Sequence, residues 1–150
     1  MIALDLLQFQ PLLKTKKENG KTFLFCPIRK KYLVLQPEEL VRQLLLIYFM
    51  EKKSYPKSRI AVEKGLTINE LTKRFDVLIY DKNTLPFLLV ECKAPEVKIS
   101  QSTFEQISQY NFQLKVPYLL VTNGISTYVC KMDYEKQDYE FVDEIPSPSS

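Results

Sequence analysis

Arg74-Phe75-Asp76-Val77-Leu78-Ile79-Tyr80-Asp81-Lys82-Asn83-Thr84-Leu85-Pro86-Phe87-Leu88-Leu89-Val90-Glu91-Cys92-Lys93-Ala94-Pro95 reads as two strands joined by a polar turn. Val77 to Tyr80 and Phe87 to Val90 are short apolar runs rich in β-formers. Asp81, Lys82, Asn83 and Thr84 are turn residues, and Pro86 bars further ladder pairing on the turn side. If Tyr80 faces Phe87 across an antiparallel pair, Leu78 faces Leu89 and Asp76 faces Glu91. Side chains alternate along a strand, so Asp76, Leu78, Tyr80, Phe87, Leu89 and Glu91 are expected on one face, followed by Lys93. Val77, Ile79, Leu88, Val90 and Cys92 take the other. Both faces are apolar near the turn, which predicts a hairpin covered on both sides.

The pairing places two carboxylates about 5 Å apart, where like charges repel. Such a pair destabilises a fold unless a cation sits between the two or one takes a proton. Mg²⁺ suits the first case, with Mn²⁺ as a substitute, because it takes oxygen ligands and keeps several waters. Lys93 can then hold or help deprotonate a metal-bound water. Asp, Glu and Lys on adjacent strand ends are the parts needed to hydrolyse a phosphodiester. Surface charge at strand ends is the plainer reading of any one of these residues. The direct continuation of Leu88-Leu89-Val90 into Glu91 and Lys93 favours a site.

Asp76 followed by Glu91-Cys92-Lys93 resembles the Asp…Glu-x-Lys motif of the PD-(D/E)XK nuclease superfamily. Glu91-Cys92-Lys93-Ala94-Pro95 resembles, more narrowly, the N-terminal nuclease domain of type I restriction enzyme R subunits. Phe75 stands where the motif's name has proline. The resemblance implies an α/β fold, a restriction-endonuclease-like mixed β-sheet flanked by α-helices. It implies an Mg²⁺-dependent endonuclease or exonuclease acting on DNA. Asp76, Glu91 and the Cys92 backbone carbonyl would hold metal, and Lys93 would position the attacking water. Glu39, in a segment Pro37-Glu38-Glu39-Leu40-Val41-Arg42-Gln43 that resembles the superfamily's first core helix, is a further metal-ligand candidate. A first-turn acid needs no such role. Gln106 and Tyr110, four residues apart on the next helix, resemble the Gln-x-x-x-Tyr motif and would support Lys93 and contact nucleic acid.

Composition narrows the chemistry. The chain of 150 residues holds no histidine, which excludes Ser-His-Asp and Cys-His catalysis and any histidine base or ligand. Hydrolysis must run on carboxylates, lysine and metal. The net charge of +3 permits nucleic-acid binding without indicating it. Cys26, Cys92 and Cys130 have no paired spacing for zinc and read as small buried hydrophobes, which suits a reducing cytoplasm. Met1 to Pro11 lacks a basic n-region and carries Asp5, and no apolar run approaches the roughly 20 residues of a membrane span.

One domain over residues 1–145 is expected, with 1–20 loosely attached and 146–150 a disordered tail. Asn19-Gly20 marks a turn before a strand at Thr22 to Cys26. The turn Pro27 to Lys31 brings Arg29, Lys30 and Lys31 to phosphate or simply to solvent. Pro37 starts a helix ending near Lys52-Lys53, with Leu40, Leu44, Ile47 and Met50 as its stripe. Arg59 to Leu66 is a strand, and Glu63 is either an edge residue or part of the site. Ser102 with Glu105 predicts a capping box for a helix running to about Leu114. Strands follow at Tyr118 to Thr122 and Thr127 to Met132, with a short edge strand at Tyr139 to Val142. The helix before Tyr118 makes its strand parallel to the Glu91 strand.

No Gly-x-x-x-x-Gly-Lys-Ser/Thr loop is present, so no ATP-driven motor lies in these residues. The expectation is a nuclease that stands alone or joins a protein partner supplying motor or specificity. The alternative is a catalytically silent module of the same fold that binds nucleic acid or protein.

Overall fold

Asn19 and Gly20 both take positive φ (52° and 77°), the geometry of a two-residue hairpin loop. They join β1 (Thr15–Glu18) to β2 (Lys21–Cys26), which pairs in turn with β3 (Lys31–Val34) in a three-stranded antiparallel sheet. The structure is a computed structural model describing residues 2–68 and 70–147, with Leu66, Ile68, Leu71, Lys73, Tyr110 and Gln113 described by backbone alone.

Helix α1 (Pro37–Glu51) begins on proline, with Glu38 and Glu39 in its first turn where the helix dipole favours acids. A 3-10 turn at Lys57–Arg59 leads into β4 (Ile60–Ile68), β5 (Leu71–Tyr80) and β6 (Pro86–Cys92). After α2 (Gln101–Leu114) come β7 (Tyr118–Thr122), β8 (Thr127–Asp133) and β9 (Asp138–Phe141). These six strands form a second sheet in sequence order. The α2 crossover makes β6 and β7 parallel, and every other pair is antiparallel.

Each face of this sheet carries its own core. Val77, Ile79, Leu88, Val90 and Cys92 pack with Val41, Leu44, Leu45 and Phe49 of α1. Leu78, Leu89, Leu119 and Val121 pack with Phe104 and Leu114 of α2. Each of these large apolar side chains contributes roughly 1.5–3 kcal/mol by leaving water. Leu78 lies opposite Leu89 as the alternation predicts, and Val77 opposite Val90. The shared-face expectation fails at both ends of the hairpin. A register shift pairs Tyr80 with Pro86, the first strand residue, and Phe87 joins the α1-side core. At the other end Phe75, not Asp76, shares the α2-side core with Leu78.

Other departures lie toward the ends of the chain and at a helix cap. Residues 2–18 are docked. Leu6 and Phe9 of a 3-10 helix at Leu6–Leu12 are buried against α1, Ile2 bridges to Thr127, and β1 is paired along its length. Their burial depends on partners far along the chain, which local polarity does not reveal. At the other end Ile145 is buried and the Pro146 carbonyl accepts the Tyr55 hydroxyl, so the start of the expected tail is held. Pro148 to Ser150 lie outside the described residues. The α2 cap is Ser100, two residues before the expected Ser102, and its hydroxyl accepts the Thr103 N–H. Among the described residues no helix is long and apolar enough to cross a membrane.

Candidate functional site

The β4–β5 ladder pairs Val62 with Val77 and resumes at Lys64 with Phe75. Between these pairs Glu63 adopts φ 53°, a left-handed conformation that a non-glycine residue adopts at a cost. Beside this break Phe75 takes the α2 side and the Asp76 carboxylate meets α1. Its Oδ1 accepts Arg42 Nη2 at 3.1 Å and its Oδ2 accepts the Cys92 N–H at 2.7 Å.

Arg42 is the hub. Its side chain is 6% exposed, and its Nη1 also reaches Glu39 at 3.2 Å and Glu63 at 3.4 Å. Arg29 Nη2 binds Glu39 at 2.6 Å and its Nη1 lies 3.5 Å from Glu63. The Gln43 amide donates to Glu39 at 2.9 Å. Two guanidinium groups thus serve three carboxylates. Burial alone would lower the Arg42 pKa, but the Glu39 and Asp76 charges outweigh it and raise it. The Cys92 thiol is held well above its usual range, first by burial and then by the Asp76 charge. Cys26 goes the other way: burial would raise it, but hydrogen bonds from Arg29 and Gln43 bring it down.

This arrangement corrects one expectation and joins the two alternatives of another. Arg29 is not a solvated turn charge but a half-buried ion-pair partner. Glu63, on an edge strand and 45% exposed, is tied into the same cluster. Asp76, Glu39 and Glu63 are brought together, through arginine. Glu91 is half-buried at the end of β6, next to the Cys92 N–H that Asp76 Oδ2 accepts. The expected direct pairing of Asp76 with Glu91 is not part of the ladder, which ends at Val77 opposite Val90. Lys93 extends the β6–β7 ladder, its N–H donating to the Thr122 carbonyl at 2.8 Å. Gln106 is exposed on α2, and the Tyr110 side chain lies outside the described residues.

Among the described residues no three acids, cysteines or histidines stand close enough to cage a metal ion. The donor chemistry of Asp76, Glu91 and the Cys92 carbonyl still fits a hard cation, because Mg²⁺ is commonly held by one or two carboxylates plus water and phosphate.

Arg42 and Gln43 were missed as functional residues. The available signal was Glu39, Arg42 and Gln43 at i, i+3 and i+4, a spacing that puts all three on one helix face. That both are buried, amid Val41 and Leu44 to Leu46, is visible only in the fold.

An α/β protein with a helix on each face of a mixed sheet and an acid-rich strand end is thus defined. The chain belongs to the family described as Type I restriction enzyme R protein N terminus (HSDR_N), whose sequence profile matches residues 37–146. Among solved structures it is similar to a fragment assigned to an HsdR subunit of a type I restriction enzyme from Vibrio vulnificus YJ016. That likeness has a TM-score of 0.54 at 17% identity and covers 75% of this chain and 24% of the other. The chain therefore spans about a quarter of that relative's length. No match is found among curated proteins.

Proposed function

We propose that this domain is an Mg²⁺-dependent nuclease that hydrolyses phosphodiester bonds in DNA. The observation that carries the reading is the 2.7 Å bond from the Cys92 N–H to Asp76, which ties the aspartate to the backbone of Glu91-Cys92-Lys93. Asp76 and Glu91, with the Cys92 carbonyl, would hold the metal, and Glu39 is next in reach of Asp76 through Arg42. The metal supplies a Lewis acid and a more acidic bound water. Lys93 would orient the attacking water, since no histidine is present to act as base. By their resemblance to the Gln-x-x-x-Tyr motif, Gln106 and Tyr110 would support Lys93. Family membership favours DNA as substrate and a partner chain carrying motor or specificity functions.

One observation favours a second reading, a catalytically silent binding module. Arg42 already neutralises Asp76, so the fold needs no metal there. Titrating Mg²⁺ or Mn²⁺ against purified protein with linear, nicked and single-stranded DNA separates the two. Metal-dependent cleavage abolished by Lys93→Ala supports the nuclease. Binding without cleavage under every metal and DNA form supports the module.

A further inference from the structure

The outer face of the three-stranded sheet has no role in the reading above and lies outside the family match, which begins at residue 37. In β2, Leu24 and Cys26 are buried while Phe23 and Phe25 alternate to the other side. Cross-strand partners complete that outer face: Lys16 opposite Phe23, Val34 beyond it, and Tyr32 opposite Phe25. The rings of Phe25 and Tyr32 meet edge-on, centroids 5.2 Å apart. Lysine amines lie against them, Lys14 at 4.9 Å from Phe25 and Lys16 at 4.4 Å from Tyr32 and 5.7 Å from Phe23.

The surrounding charge has one sign. Residues 14–34 hold seven Lys or Arg against one Glu, a net +6 where the whole chain is +3. Arg29 is spent on Glu39 and Glu63, but Lys14, Lys16, Lys17, Lys21, Lys30 and Lys31 are all exposed. The Lys16–Glu18 pair at 3.3 Å is exposed at both ends, so a phosphate can displace it.

We propose that this face binds single-stranded nucleic acid, its rings stacking on bases and its lysines contacting the backbone. Charge complementarity selects a polyanion. The three half-exposed rings select unpaired bases, because a duplex offers no free base face except at its ends. The proposal stands whether or not Asp76 hydrolyses anything.

The test is fluorescence anisotropy of labelled oligo(dT) with the full chain in EDTA, across a salt series, against a blunt duplex of equal length. Wild type should bind oligo(dT) more tightly than duplex. The double variant Lys14→Gln, Lys16→Gln should flatten the log–log salt slope by about 1.4, about 0.7 per lost phosphate contact. Tyr32→Leu should weaken binding roughly tenfold, within the range for one lost base stack. Lys131→Gln with Lys136→Gln, on β8 and in its turn to β9, should change neither. If Tyr32→Leu fails to fold, the exposed lysines decide. An unchanged slope in a natively melting Lys14/Lys16 variant overturns the proposal. So does duplex binding as tight as oligo(dT). Displacement of oligo(dT) by polyglutamate at equal charge also overturns it and assigns the face to an acidic protein.

Discussion

Asp76→Asn tests what the Asp76 carboxylate does in the metal-free fold. Pairing of Asp76 with Glu91 alone would make its neutralisation nearly free of cost, because two like charges would no longer repel. The structure reverses that sign. Asp76 accepts from Arg42 at 3.1 Å and from the Cys92 N–H at 2.7 Å, with its side chain 19% exposed. Unit charges roughly 4 Å apart at an effective dielectric of about 20 attract by about 4 kcal/mol before desolvation is charged against them. Asparagine keeps one oxygen for Cys92 but turns a donor or a neutral oxygen toward Arg42. The net loss should be close to one charge-assisted hydrogen bond, about 2 kcal/mol. For a chain of this size that is a fall in Tm of roughly 4–8 °C without metal. Differential scanning calorimetry in EDTA measures it, and urea titration should show a lower midpoint at unchanged slope. Added Mg²⁺ should raise the wild-type Tm, by about 2.7 kcal/mol of stability at a hundredfold excess over Kd, and leave Asp76→Asn unmoved. A metal-free Asp76→Asn protein as stable as wild type would refute the Arg42 anchor.

Three further outcomes follow from the same network and cores. Arg42→Leu leaves the part-buried Asp76 carboxylate without its cation, while Glu39 and Glu63 keep Arg29, and should cost about 3 kcal/mol, read from urea midpoints; Mg²⁺ should recover part of it if metal can replace the guanidinium at Asp76. Lys93→Ala should abolish cleavage while leaving metal-induced thermal shift and DNA affinity near wild type, and equal cleavage by both proteins would place the chemistry elsewhere. Alkali should destabilise the fold. Burial holds the Cys92 thiol and the Tyr55 and Tyr134 hydroxyls above their ordinary values and pushes Cys130 up to about 12, so the unfolded chain ionises first. The stability these neutral groups contribute is complete below the ordinary thiol value of 9.0 and falls above it, by up to about 1.4 kcal/mol per pH unit per group. A Tm that stays level from neutral pH into the phenol range would contradict that burial.

Much of the fold was legible from neighbouring residues. Alternation around Leu78 and Leu89 predicts the hairpin register, Asn19-Gly20 the first turn, and the helix before Tyr118 the parallel pair. These signals are local, carried by side chains a few positions apart. The candidate motif Asp76, Glu91 and Lys93 was legible for the same reason. What the tertiary structure alone decided is which way Asp76 turns and what meets it there. Arg42 lies 34 positions earlier, in a helix whose apolar pattern hides a buried cation. Its choice of Asp76, Glu39 and Glu63 together depends on α1 packing across the sheet. The interruption at Glu63 and the burial of Phe75 then turn Asp76 toward it. Strand periodicity assigns a face to each residue, but a buried guanidinium needs several acceptors, and only the packed chain brings them within 3.5 Å.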